Sequence, residues 1–350
     1  MAQPSQSVIR FPAEWEPQDA VMLAWPHAMT DWQPRLDDIQ QTYLAIIKQI
    51  TRFEPVVLFV PESDYLESLK PRFLDHHIEN EKIIPLFAAY NDTWLRDTGP
   101  LTIKQNNTIK FIDFRFNGWG NKFEYHLDDQ LCKQFSLHPS VNNKEMNKQD
   151  LILEGGAIDT DGQGVLLTTK QCLLNKNRNP ALAEIDYEDI FAELLGIKKV
   201  LWLEHGMILG DDTDGHIDML ARFCSDSVIA HCVCHQENDP HYVSLEKMTT
   251  ELKSLTDPDG NNYELIELPL PKPIMDDQGE RLPASYCNFL IINKAVLVPV
   301  YNDEMDTVAC TRLAQAFPQR EIIPVDATSI IRQGGSLHCL TMQLPAGSLD

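Results

Sequence analysis

Near the carboxy end the run RQGGSLHCLTMQ (332–343) presents a thiol, Cys339, beside an imidazole, His338. A thiol acts as a nucleophile only as its thiolate, so it needs a partner to take its proton. Gly334 and Gly335 let such a loop come close to a ligand. A lone cysteine is more often a small buried hydrophobe, so the reading depends on what can meet it. His338 is not expected to be the base: on an extended segment, adjacent side chains point to opposite faces.

The segment DDTDGHID (211–218) offers a better partner. His216 and Asp218 are two apart, which puts both on one side of an extended chain. The alternative is a turn in which Asp211, Asp212 and Asp214 bond to backbone and His216 is a satisfied core residue. WLRDTGP (94–100) places Asp97 beside Arg96 and Trp94. That is either a functional acid or a structural salt bridge closed by a Gly-Pro turn. Glu154 ends the apolar run LILEGG (151–156), where a buried carboxylate needs a partner such as His216. HCVCH (231–235) has the composition of a zinc site. Strand alternation, however, puts His231 and His235 on one face and Cys232 and Cys234 on the other, so the four cannot converge on one ion. Core packing is the reading there.

One thiol, one imidazole and three carboxylates suit attack on a guanidinium carbon. Carboxylates hold that planar cation by its fork, and Asp97 and Asp218 are best placed to do so. Cys339 would add to the carbon, and His216, charged and oriented by Glu154, would protonate the departing ammonia. Surrounding carboxylates raise a thiol's pKa, so Cys339 is expected to be protonated in the free enzyme.

The elements that must gather these residues alternate along the chain. AVMLAW (20–25) and PVVLFV (55–60) read as strands and 36–53 as a helix, with further helices near 64–73, 126–136, 187–195, 243–255 and 305–316. Strands near 83–88, 151–153, 199–203, 262–268 and 321–325 follow helices or precede the polar loops, and 141–150 reads as a polar surface loop. The unit is strand–strand–helix–strand, about five times over, in a single catalytic domain spanning 1–350. Four of the five late strands lead into loops carrying acidic, His or Cys residues beside glycine, and the fourth loop, 269–283, is a proline-rich candidate lid. If the five units close into a ring, those loops meet at one end of its axis.

The 350 residues carry a formal net charge of −23. Such a surface repels nucleic acid and anionic membranes and attracts a small cation. The start shows no basic, apolar export segment, and no run approaches a membrane helix. Eight cysteines without CxxC pairs suit a cytoplasmic, reduced setting. A homo-oligomer is left open.

Taken together, WLRDTGP, FNGWGNKF (116–123), LEGG, DDTDGHID, SYCNFLIINKAV (285–296) and GGSLHC resemble the agmatine deiminase family, the branch that includes the Porphyromonas-type peptidylarginine deiminases. The resemblance runs from FPAEWEPQDAVMLAWP (11–26) to Gln343. It implies a five-fold pseudosymmetric α/β propeller (the pentein fold) and a covalent thiouronium mechanism without metal or organic cofactor. The family's nucleophile falls on Cys339, its acid/base on His216, its guanidinium-binding acids on Asp97 and Asp218, and its histidine-supporting acid on Glu154. Trp94 and Trp119 match its pocket tryptophans. The chain departs from the family at Gln333, commonly glycine, and at Asp214, commonly asparagine, both expected near the pocket mouth. Agmatine is the expected substrate, with Asp212 as a partner for its amine. Arginine or peptidyl-arginine would need a cation for the carboxylate, and no such residue is evident. An amidinotransferase and a metal-dependent hydrolase are the other readings.

Overall fold

Val56–Val60 reads VVLFV, and all five residues are buried. A strand apolar on both faces belongs inside a covered parallel sheet. It lies between Gln18–Ala24 and Ile83–Phe87 and runs parallel to both. Helix Leu36–Ile50 makes the first crossover and buries Ile39, Tyr43, Ile46, Ile47 and Ile50 along one stripe. Trp25, at the end of the first strand, packs edge-on against Tyr43 and Phe73, both at 6.0 Å.

The computed structural model describes residues 8–106 and 108–350. Among these, five small sheets share one pattern: an antiparallel pair, a helix, then a strand parallel to the second. Leu101–Gln105, Thr108–Arg115 and Glu145–Ile152 form one. Ile158–Thr160, Val165–Thr169 and Lys199–Leu203 form the next. Ala221–Phe223, Val228–Val233 and Glu264–Pro269 follow, then Leu290–Ile292, Ala295–Val300 and Glu321–Asp326. Helices Leu131–Ser136, Glu184–Leu195, Tyr242–Ser254 and Met305–Ala316 supply the crossovers. The fifth sheet uses both ends of the chain, because Met342–Pro345 pairs antiparallel with Gln18–Ala24.

Two expectations need correction. Residues 145–150, expected in a surface loop, belong to a strand, Glu145–Ile152, that runs into the expected strand at 151–153. The strand is an edge, reads EMNKQDLI and is largely exposed, so it lacks the apolar signal of a paired interior strand. In the sheet shared by the two chain ends, helix Ser63–Asp75 and strand Ile83–Phe87 extend the basic pattern. The loop bearing Trp94 and Asp97 follows that added strand.

The terminal strand holds Cys339 in place three residues upstream, so its packing matters to the site. Leu344 in it is fully buried. Leu344→Ala is expected to cost about 2–5 kcal/mol, read as a lower urea midpoint with an unchanged slope; an unchanged midpoint would mean this strand is not part of the cooperative core.

Candidate active site

Cys339 lies on a 3-10 turn, His338–Leu340, and is 4% exposed. Asn288 fixes that turn. Its Oδ1 accepts from the backbone N–H of His338 at 2.8 Å and of Cys339 at 3.3 Å. Its Nδ2 stands 3.3 Å from the Cys339 sulfur. In the sequence its one signal is an asparagine set in the largely apolar run SYCNFLIINKAV.

Three loops bring acids and the imidazole to the thiol. Asp97 sits on the short helix Leu95–Thr98 and is held by two neutral donors, Trp119 Nε1 and the Gly156 N–H, both at 2.9 Å. His216 and Asp218 flank the start of the 3-10 turn Ile217–Met219 and converge through that turn, not through strand alternation. Asp218 Oδ2 is 3.7 Å from the Cys339 sulfur. His216 Nδ1 is 3.7 Å from Asp97 Oδ1, and its Nε2 is 4.0 Å from Glu154 Oε2. A methyl at Gly156 would stand 2.6 Å from His216 Nδ1 and 2.9 Å from Asp97 Oδ1, so only glycine fits beneath this cluster. The five predicted residues therefore do share one site.

Their partners differ from expectation in two ways. Glu154 is bonded chiefly to Arg178, whose Nε lies 3.0 Å from Oε1, while His216 is farther off. Arg178 also donates to the Thr213 carbonyl and to Asp214. Arg96 turns away from Asp97, donating to Gln343 Oε1 at 2.7 Å. His338 does not face away from its neighbour: the turn lets it bond Asp218 Oδ2 at 2.8 Å, the same oxygen that Cys339 approaches.

Burial sets the electrostatics. It pushes the Cys339 thiol well up, and the charges of Asp218 and Asp97 push the same way. It drives His216 down to about 3, against the opposing pull of Asp218. Burial, with Asp218 and Glu154 nearby, also raises Asp97 well above its ordinary value. Asp218 behaves differently. Burial opposes its charge, but the His338 hydrogen bond and charge outweigh that and hold it below the ordinary value. The resting site thus pairs a neutral imidazole with a protonated thiol.

Above the thiol opens a cavity of about 650 Å³, lined by Cys339, Asp97, Trp94 and Trp119 among others. His216, Glu154 and Asp218 lie behind that lining. Trp119 adopts φ 52° and ψ 44°, a left-handed conformation costly for a bulky residue. Its indole N–H is thereby spent on Asp97. Gly335 lies flat against Trp94, where a Cβ would come 2.4 Å from the ring. The candidate lid contributes Asp276, Glu280, Arg281 and Leu282 to the wall.

Asp212 is exposed on the cavity wall, and Gln333 lines it too. Asp214, next to the lining residues Asp212 and Thr213, is tied to Lys122, Asn177 and Arg178. Asp211 performs the turn role, accepting from the N–H groups of Thr213 and Gly215. In HCVCH, His231 is buried and bonded to Thr249, Cys232 packs on Cys287, and His235 is exposed near Glu267. Glu154, Cys172 and His216 place ligand atoms within 4.8 Å of one another. A metal ion there would face the fixed guanidinium of Arg178, which already occupies the Glu154 carboxylate. The sequence reading found no cation for a carboxylate-bearing substrate, yet Arg281 and Arg332 both line the cavity. Arg281 is bound to Asp239 at 2.7 Å, and Arg332 stands 3.9 Å from Asp277.

The chain is similar to known proteins along nearly its whole length. Residues 10–345 match the family model for Porphyromonas-type peptidyl-arginine deiminase. The agmatine deiminase of Pseudomonas aeruginosa (strain UCBPP-PA14) is 31% identical, over 98% of this chain and 97% of its own. Among solved structures, C. jejuni agmatine deiminase, in a Cys-to-Ser form with substrate bound, is 40% identical with a TM-score of 0.90, covering 98% of both chains. The agmatine deiminase of Enterococcus faecalis is 29% identical with a TM-score of 0.86, covering 97% of this chain and 96% of its own. The chain belongs to the Porphyromonas-type peptidyl-arginine deiminase family.

Proposed function

We propose that this chain hydrolyses agmatine to N-carbamoylputrescine and ammonia through a covalent adduct on Cys339. One observation carries the reading. Among the described residues, both ring nitrogens of His216 and Oδ1 of Asp218 are buried without a hydrogen-bond partner, in the cluster with Asp97 and Cys339. Each such group costs about 1–3 kcal/mol. A guanidinium, planar and rich in N–H donors, supplies what Asp97 and Asp218 lack.

The steps follow from the resting protonation. Guanidinium binding between Asp97 and Asp218 adds a positive charge beside Cys339 and offsets the carboxylates that hold its proton. The thiol proton passes to His216 as sulfur adds to the guanidinium carbon. His216 returns that proton to the departing nitrogen, and ammonia leaves an S-alkylated thiouronium. Water then adds to the same carbon, giving a proton to His216, and collapse restores the thiol and releases the ureido product. Glu154, anchored by Arg178, lies where its charge stabilises the imidazolium between these steps. Asn288 Nδ2 supports the sulfur as it becomes anionic.

Agmatine fits the cavity's charge. Among the described residues, its wall carries Asp31, Asp92, Asp97, Glu124, Asp212, Asp276 and Glu280 against only Arg281 and Arg332. The amine end of agmatine suits this excess, with Asp212 one candidate partner. Arg332, only loosely paired, is the feature that favours a carboxylate-bearing substrate such as arginine. The five sheets, the convergence of the five loops and the pairing of the chain's two ends support a closed five-fold propeller forming one catalytic domain. Among the described residues no helix is long and apolar enough to cross a membrane. The eight cysteines are free, and a reducing, cytoplasmic setting suits that usage.

Ammonia release from agmatine, with no amine acceptor added and with chelator present, is the direct assay. Wild type is expected to turn over, and Cys339→Ala to lose at least about 10³-fold in kcat. Equal rates would remove the nucleophile, a need for acceptor would mean an amidinotransferase, and faster release from arginine would reassign the substrate.

The raised thiol gives a second expectation. The thiolate absorbance of wild type minus Cys339→Ala should show no step below about pH 8 in the free enzyme, because a raised pKa keeps the proton on as pH climbs through neutrality. A step below neutrality would mean a preformed ion pair with His216.

A further inference from the structure

The reaction above makes no use of His338, although it is 2% exposed and adjacent to the nucleophile. Its Nδ1 lies 2.8 Å from Asp218 Oδ2 and its Nε2 lies 2.8 Å from Glu14 Oε2. Carboxylates only accept, so each contact requires an N–H, and the ring spans the two acids as an imidazolium. Glu14 is in turn fixed by Arg222 and by the Ile291 N–H at 2.7 Å. Arg222 donates to the Phe289 carbonyl at 3.0 Å, and its guanidinium lies 5.0 Å over the Phe289 ring. A continuous buried chain therefore runs from the protein interior to one oxygen of Asp218. The other oxygen, Oδ1, is buried and has no partner among the described residues.

We infer that His338 is a positioning residue for substrate recognition: it grips Asp218 by Oδ2 and thereby leaves Oδ1 free, in a fixed place, for an N–H of the guanidinium. The inference rests on the guanidine reading given above. Asp97 lacks a comparable grip, since its partners are the neutral Trp119 and Gly156 donors. The two acids thus differ in kind. Asp218 is held by a charged partner, and Asp97 waits for the substrate to supply one. A purely structural role makes the opposite emphasis, with His338 serving mainly to satisfy Glu14 and so hold the Arg222 network together.

Two substitutions separate these roles, because an asparagine amide can stand where Nδ1 stands and a glutamine amide where Nε2 stands. Agmatine binding is measured by calorimetry in the Cys339→Ala protein, which cannot turn over. His338→Gln, which loses the donor to Asp218, is expected to weaken binding by at least about tenfold. His338→Asn, which keeps that donor, is expected to stay within about threefold. In a Cys339→Ala, Asp218→Asn background neither change should weaken binding further, since the effect passes through Asp218. Should the glutamine protein not fold, His338→Leu takes its place with the same expected loss. Equal losses for asparagine and glutamine, a larger loss for asparagine, or losses that persist without the Asp218 charge would overturn the inference. Wild-type turnover of agmatine, assayed alongside, tests the underlying reading separately; its absence would overturn that reading and the inference with it.

Discussion

The structure turns on the cost of keeping several carboxylates out of water within one small region. Glu14, Asp97, Glu154 and Asp218 are all buried, and an unpaired buried charge costs several kcal/mol. Three of the four are met by fixed cations: Glu14 by Arg222 and His338, Glu154 by Arg178, and Asp218 by His338. Among the described residues, Asp97 has only neutral donors and Asp218 keeps one oxygen unbonded. The protein thus neutralises its acids almost completely and stops one cation short at the thiol. In the proposed reaction that shortfall is what binds a guanidinium, and it also keeps Cys339 protonated until such a cation arrives. Substrate selection and thiol activation are then one electrostatic event.

The fold serves this arrangement by placing each charged group on a loop between a strand and the next unit. Asp97, Glu154, His216 with Asp218, and Cys339 come from four different sheets' connections, and the candidate lid supplies the fifth. Because Met342–Pro345 is clamped beside Gln18–Ala24, the nucleophile near the chain's end is as firmly anchored as the residues in its middle. The same closure brings Glu14, near the start, under His338, near the end. Local strain collects here too, in the left-handed Trp119, and the glycine at 156 leaves the room beneath the imidazole that any side chain would take.

What could be read in the chain beforehand follows from this physics. Cys339, His216, Asp218, Asp97 and Glu154 stood out because charge or sulfur next to glycine is rare in a plain turn. The repeating strands and helices showed in their apolar periods, and Lys199–Leu203 matched its expected limits. Residues that act through others were silent. Arg178 and Arg222 look like surface arginines until the carboxylates they neutralise are located. Asn288 hid in an apolar run, and His338 was set aside on the assumption of an extended chain where the backbone makes a 3-10 turn. The exposed part of strand Glu145–Ile152, residues 145–150, reads as loop because an edge carries little apolar signal. The cavity arginines 281 and 332 were invisible because pocket membership is a matter of long-range packing.

The central claim is that Cys339 forms a covalent bond to the substrate's guanidinium carbon within this acid-lined site. Acid-quenching the enzyme during turnover of agmatine and mapping its peptides by mass spectrometry tests that most directly. The account predicts that the peptide holding Cys339 gains the mass of agmatine less ammonia, and that the gain disappears when substrate is exhausted. Steady turnover with that peptide unmodified at every quench time, or with the added mass on another cysteine, would contradict it.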